Sequence, residues 1–452
     1  MAIHENDTPT APARRIEDYP IAELPDQIAL LTNCAEALVR DGRLEEAEQV
    51  YRRILEAAPH HLPALTFLAM RAYETGNLEE SLLRLQNAIR INPKSAQLQE
   101  NLAMVRHRQR LPENALDAID RAIQLAPERA VAHLHRGMIL EDLGRERDAL
   151  LCFGKALKLE PVLRTSPASQ PFGIQKLAAH AIGRLAPLRL AAIDQAAQEV
   201  EDLFASKLPD RAREFLDIFK GLKAPAYEDA QQHPDFLFYP GLGPKPWFER
   251  GEFPWIKAFE AETPGILAEY RSLVSESQSS TPEQPYVAEG ARESRIWKEL
   301  AGSLAWSSVH LYRSGNPAPS VIQRCPRTFS ALKHLPLARG QSHAPEVFFS
   351  ILKPGTRLPP HHGLSNAKLT IHLGLVIPDR CGMKVGGETR QWREGRALIF
   401  DDSFRHEAWN AHATPRAVLI ADIWNPALAP IEQELVARAI DAHEAFSREY
   451  FS

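Results

Sequence analysis

Cysteine is scarce in this chain of 452 residues. The four that occur, Cys34, Cys152, Cys325 and Cys381, are widely scattered and form no close pair of the kind that makes a zinc site or a redox motif. Reduced, buried thiols are the expectation. Long apolar runs are also missing: no stretch approaches the roughly 18 residues a membrane-spanning helix needs. The opening MAIHENDTPTAPARR is polar and lacks the apolar core of a secretory signal. A cytoplasmic protein without a membrane association is expected. Nor is there an excess of positive charge. Lys and Arg number 53 against 58 Asp and Glu, a formal net charge of −5, which argues against a dedicated nucleic-acid binder. What is present is the balance of a globular protein, 44% hydrophobic and 25% charged. At about 150 residues per domain, two or three units are expected.

The first third repeats. Pro59, Pro93, Pro127 and Pro161 follow one another at 34 residues, the period of the tetratricopeptide helix–turn–helix unit. Other positions keep the same phase: Ala47, Ser81, Ala115 and Ala149; Tyr51, Leu85, Ile119 and Phe153; Ala35, Ala69, Ala103 and Gly137. Small residues let two helices approach, and the large one fills the gap. Gly42, Gly76 and Gly144 mark the turn inside the hairpin, where a left-handed backbone costs glycine least. Arg110 interrupts that series. Residues 28–161 therefore read as four repeats behind an N-terminal tail, 1–27. Stacked repeats make a curved solenoid whose concave face suits an extended peptide; the alternative is a spacer or buttress.

Residues 162–235 continue as alanine- and leucine-rich helix, a cap or linker. At DFLFYPGLGPKPWFERGEFPWI the composition shifts to aromatics, prolines and glycines, so a different architecture begins near residue 236 and extends to about 430, with a C-terminal helix over 431–452. Short strands separated by Pro/Gly turns are expected at 347–352, 368–377, 396–400 and 416–424, a spacing that suggests an antiparallel sandwich or jelly roll. In the second of these, Leu369, Ile371, Leu373 and Leu375 share one face and Lys368, Thr370 and His372 the other. Polar groups lining an interior suggest a bound ligand, because buried polar groups without partners are costly.

His361, in RLPPHHGLSN, and His406, in FDDSFRHEAWN, flank this region, and a two-histidine iron site is the natural hypothesis. The usual facial triad adds a carboxylate, often two residues after the first histidine. Here that position is Gly363. Asp401 and Asp402 are the competing carboxylates, read as turn groups that hold the histidine loop.

The segments FSILKPGTRLPPHHGLSNAKLTIHLGLVIP, CGMKVGGETRQWREGRALIFDDSFRHEAWN and VLIADIWNP, in that order, resemble the catalytic domain of the aspartyl/asparaginyl β-hydroxylases. PGLGPKPWFERGEFPW looks like bacterial members that carry tetratricopeptide repeats. The resemblance implies a multidomain α + β chain, an all-α solenoid followed by a double-stranded β-helix (jelly-roll, cupin-like) barrel with flanking helices. It implies a dioxygenase using Fe(II), 2-oxoglutarate and O2 to hydroxylate an aspartyl, asparaginyl or related residue of a peptide or protein. His361 and His406 match the metal ligands, and the family lacks the triad carboxylate, as Gly363 does here. Ser350 and Arg416 match the groups on the distal carboxylate of 2-oxoglutarate, with His372 near its metal-chelating end and Trp306 beside it. One departure stands out: mammalian members have an arginine where this chain has Thr370, and Lys368 on the same face is a partial substitute at best. Two other readings stay open: a non-catalytic tetratricopeptide adaptor with a degenerate barrel, and a cupin-type isomerase or epimerase using His361 or His406 as acid and base.

Overall fold

The computed structural model describes residues 24–275, 283–341 and 343–452; most of the N-terminal tail, residues 1–23, lies outside them. Two compact units are formed, one by residues up to Ala186 together with Arg448–Ser452, the other by Pro187–Ser447. Among the described residues no helix is long and apolar enough to cross a membrane.

The first unit is built from helical hairpins. Helices α1 (Leu24–Arg40), α2 (Leu44–Ala57), α3 (Leu62–Glu74), α4 (Leu78–Ile91), α5 (Ala96–Arg108), α6 (Pro112–Leu125), α7 (Ala130–Asp142) and α8 (Glu146–Leu159) follow in antiparallel pairs. The in-phase small residues are buried in the contacts: Ala35, Ala69 and Ala103 on the first helices of the hairpins, Ala47, Ser81, Ala115 and Ala149 on the second. Gly137 shows why one must be small. A Cβ there would stand 2.2 Å from the Phe153 ring, which fills the gap between α7 and α8. The hairpin turns pass through the left-handed region at Gly42 (φ 74°), Gly76 (φ 87°) and Gly144 (φ 71°). Arg110 adopts it too (φ 62°), so the third turn keeps the shape of the others and bears the steric cost, about 1 kcal/mol, that glycine avoids.

In the second unit the chain enters strands. They are β1 (Trp247–Phe248), β2 (Gln284–Pro285), β3 (Trp306–Arg313), β4 (Asn316–Pro317), β5 (Val347–Leu352), β6 (Arg357–His361), β7 (Lys368–Val376), β8 (Cys381–Val385), β9 (Glu388–Arg390), β10 (Ala397–Phe400), β11 (His406–Asn410) and β12 (Arg416–Trp424). Two separate antiparallel ladders result. An eight-stranded sheet runs β1-β10-β7-β12-β5-β3-β2 with β4 paired to β3, and a four-stranded sheet runs β6-β11-β8-β9. A single closed barrel is not what forms.

Side-chain alternation decides the two faces of the large sheet. Leu369, Ile371, Leu373 and Leu375 of β7 join Leu419, Ala421 and Ile423 of β12 in a core with the helices Ile256–Ala261 and Thr263–Ser275. The opposite face contributes Phe348, Leu352, Val418 and Ile420 to a second core, shared with Leu358, Met383, Val385 and Ala408 of the small sheet. Lys368, Thr370 and His372 point into this second space, as their alternation in the sequence requires. A helix at Pro430–Tyr450 and another at Asp210–Lys220 pack around Tyr239, whose hydroxyl donates to Glu432 (2.8 Å).

Candidate functional site

Between the two sheets lies a cavity of about 370 Å³, and all six residues singled out from the sequence, Trp306, Ser350, His361, His372, His406 and Arg416, line it. They come from six strands, so only the pairing of β3, β5, β7 and β12 in one sheet and of β6 with β11 in the other brings them together.

His361 ends β6 and His406 begins β11, and the two are direct partners across that antiparallel pair. Their ring centroids are 4.0 Å apart. Each is anchored the same way. His361 Nδ1 lies 2.7 Å from the Pro359 carbonyl and His406 Nδ1 2.9 Å from that of Phe404. A carbonyl only accepts, so both Nδ1 atoms carry the proton, and in the neutral rings both Nε2 atoms keep a lone pair. The rings are neutral because burial, and for His406 also the neighbouring His361, disfavours charge. The His406 imidazolium is pushed down to about 3, and that of His361 is lowered as well. Two neutral imidazoles held by backbone carbonyls could hold a metal ion.

The position two residues on, Gly363, is closed to a side chain. A Cβ there would lie 2.2 Å from Asp402 Cγ, so the Asp402 carboxylate already fills the space that a triad carboxylate at 363 would enter. The Gly363 amide donates to the Asp402 carbonyl (2.6 Å), and Thr370 Oγ1 donates to Asp402 Oδ2 (3.2 Å). Among the described residues no three His, Cys, Asp or Glu side chains stand together as a metal site. We expect Gly363→Ala to lower stability by about 1–3 kcal/mol, as overpacked cores do, and Asp402→Ala to relieve most of that loss in the double variant. Additive losses in thermal melts would refute the steric link.

Asp401 and Asp402 are both pushed up to about 7, chiefly by burial, Asp402 further by Asp422. Asp401 is buried and accepts from Gln232 Nε2 (3.0 Å) and the Ser403 amide (2.9 Å), a turn-holding role. An unfolded aspartate titrates near 3.9, so between about pH 4 and pH 7 the folded chain binds more protons and these groups lose stability as pH rises. Asp401→Asn should therefore gain stability relative to the parent across that window; melting curves that stay parallel with pH would contradict this.

At the other end of the cavity Arg416, 1% exposed, opens β12. Its Nη1 donates to the Ser350 carbonyl (3.2 Å) and Oγ (3.4 Å), and Trp306 Nε1 donates to the same Ser350 Oγ (3.1 Å). Its Nε has no partner, and burial lowers the guanidinium to about 9. A buried cation without a carboxylate, facing a cavity, is suited to an anionic ligand. His372, also buried, stands near it and is kept neutral by burial and by Arg416.

Lys368, on the same face as Thr370, pairs with Asp422: its ammonium donates to Oδ2 (2.7 Å). Sequence reasoning passed over Trp392 and Asp422. Trp392 sits inside the CGMKVGGETRQWREGRALIFDDSFRHEAWN segment, but nothing in a loop sequence shows which way an indole points. Asp422 had a readable signal, since it alternates with Arg416 on β12.

A family model described as aspartyl/asparaginyl beta-hydroxylase matches residues 260–426, and tetratricopeptide models match 38–105 and 130–162. The chain is 30% identical over 231 residues to an ornithine lipid ester-linked acyl 2-hydroxylase of Rhizobium tropici, covering 48% of this chain and 78% of that protein. It is 33% identical to human aspartate beta-hydroxylase domain-containing protein 2 over 45% of this chain and 53% of the relative. To human aspartyl/asparaginyl beta-hydroxylase it is 39% identical over 28% of this chain and 16% of the relative. The chain thus spans about half the length of the first of these human relatives and less of the second. A crystal structure of MamA matches 33% of this chain and 91% of its own, at 20% identity and a TM-score of 0.27. Hydroxylases among the relatives and a hydroxylase family model support hydroxylase activity. Through its matched catalytic region and its repeats, the chain belongs to the aspartyl/asparaginyl β-hydroxylase family, in a form preceded by tetratricopeptide repeats.

Proposed function

We propose that the chain is an Fe(II)- and 2-oxoglutarate-dependent dioxygenase that hydroxylates an aspartyl, asparaginyl or related residue of a peptide or protein. The observation that carries this reading is the pairing, in one cavity, of two carbonyl-anchored neutral histidines with a buried arginine that has no carboxylate partner. The residues fit the metal: His361 and His406 would hold it through Nε2, and the donor set is one that Fe(II) accepts. Bound there, the iron supplies the activation of O2 that is coupled to oxidative decarboxylation of 2-oxoglutarate. The protein's part is to bind, orient and exclude water. Arg416 and Ser350 take the distal carboxylate, Trp306 fixes the Ser350 hydroxyl, and His372 faces the metal-chelating end. The two ladders are proposed to act as the halves of a double-stranded β-helix around this cavity. The repeats are proposed to hold the peptide partner, in the cytoplasm, with no part for nucleic acid or a membrane.

A second acceptor, an ester-linked acyl chain, is favoured by one observation. With Lys368 held by Asp422 and a threonine at 370, no free cation among the described residues lines that end of the cavity to meet an acceptor carboxylate. Anaerobic titration with Fe(II) and 2-oxoglutarate tests the reading common to both acceptors. The weak visible charge-transfer band of the chelate is expected in the parent protein and absent in His406→Ala; no band in a folded parent would return the chain to the adaptor reading.

A further inference from the structure

We infer that Trp392 is a positioning residue that sets His372 apart from the histidine pair of the same cavity, fixing His372 as a proton donor while His361 and His406 remain lone-pair donors. The inference rests on the proposed function for its consequence, but not for its geometry.

Trp392 lies between β9 and β10 and is buried. Its indole Nε1 is 3.3 Å from His372 Nδ1, within hydrogen-bond reach, and the two ring planes lie at 15° to each other, an orientation compatible with an N–H···N bond. An indole N–H can only donate. The nitrogen it meets must therefore be unprotonated, and a neutral His372 then carries its proton on Nε2. Burial and the neighbouring Arg416 keep the ring neutral. This is the reverse of His361 and His406, whose Nδ1 atoms meet carbonyls. Three similar rings in one cavity thus receive two opposite tautomers from their neighbours. A ring with Nε2–H offers a hydrogen bond to a carboxylate oxygen and has no lone pair there for a metal.

The same indole serves Arg416. The guanidinium carbon stands 4.6 Å from the Trp392 ring centroid, a cation–π contact in a buried setting where it is worth most. One side chain thereby aligns both groups at the 2-oxoglutarate end of the cavity, the imidazole with its N–H and the arginine with its face.

Trp392→Phe separates the two effects, since it keeps an aromatic ring and removes the N–H, and the double variant with His372→Ala accounts for the smaller ring. In the metal-free full-length protein, long-range 1H–15N correlation of the imidazoles should show His372 as the Nε2–H tautomer, and Trp392→Phe should move it away from that form. His372 found as Nδ1–H in the parent, or unchanged in the variant, overturns the inference. With Mn(II) present, 2-oxoglutarate should bind about fivefold to tenfold more weakly to Trp392→Phe, the worth of one neutral hydrogen bond. The same substitution in a His372→Ala background should add little. An equal loss in both backgrounds would mean a general packing role and overturn the inference. Should Trp392→Phe fail to fold, the parent tautomer alone decides. A parent that shows the Nε2–H form but binds no Mn(II) and 2-oxoglutarate would sink the proposed function and leave the tautomer assignment standing.

Discussion

Replacing Arg416 with alanine is expected to weaken 2-oxoglutarate binding by two to three orders of magnitude. The guanidinium is fully enclosed, and its hydrogen bonds go to one residue, the Ser350 carbonyl and hydroxyl. A dicarboxylate entering the cavity would bring the counter-charge that the arginine lacks. Removing one partner of a desolvated pair costs about 3–5 kcal/mol, and each 1.4 kcal/mol is a factor of ten. Arg416→Lys should retain part of the charge effect but lose the forked donors and the planar contact with Trp392. The ligand-free protein should respond in the opposite sense. An unpaired buried cation is a cost to folding, so Arg416→Met should leave the thermal midpoint unchanged or raise it, while abolishing the stabilisation that added 2-oxoglutarate gives the parent. Calorimetry with Mn(II) in place of Fe(II) measures the affinity. Normal binding to Arg416→Ala would show that the co-substrate sits elsewhere.

Alanine at His361 or His406 is expected to abolish metal binding and turnover, while alanine at His362 changes both by less than about threefold. Losing a group that merely orients a ligand commonly costs 10- to 100-fold in metal affinity, so losing one of two ligands should cost about two orders of magnitude or more. His362 is adjacent in sequence but lies just past the end of β6, at the same cavity, with its ring against that of His233, whose centroid is 6.1 Å away. It is half-buried and packs on His233, outside the His361–His406 ring pair, so its loss should leave that pair in place. Equilibrium Mn(II) binding and succinate formation would both report this pattern. Equal loss at all three positions would mean the histidine register is misread.

Much of this architecture is legible without coordinates because it is periodic. The 34-residue spacing of Pro59, Pro93, Pro127 and Pro161 reflects one helical hairpin repeated, and a local period survives any tertiary arrangement. Strand alternation likewise separates Leu369, Ile371, Leu373 and Leu375 from Lys368, Thr370 and His372, and the two sets enter different cores. Arg110 shows a limit of such patterns. It takes the turn conformation of the glycines around it because hairpin closure outweighs a steric cost of about 1 kcal/mol.

The sequence by itself determined the helical repeats, the strands and the polar face that lines the cavity, since each depends on spacing along one segment. Tertiary structure alone decided which distant groups meet. Only the antiparallel pairing of β6 with β11 sets His361 against His406, only folding of the loop before β10 brings the Trp392 indole to His372, and only the closeness of Asp402 explains why position 363 holds no side chain. These contacts join residues far apart in the chain. They follow from register and loop path, which depend on the packing of all strands at once and leave no local signature in any one of them.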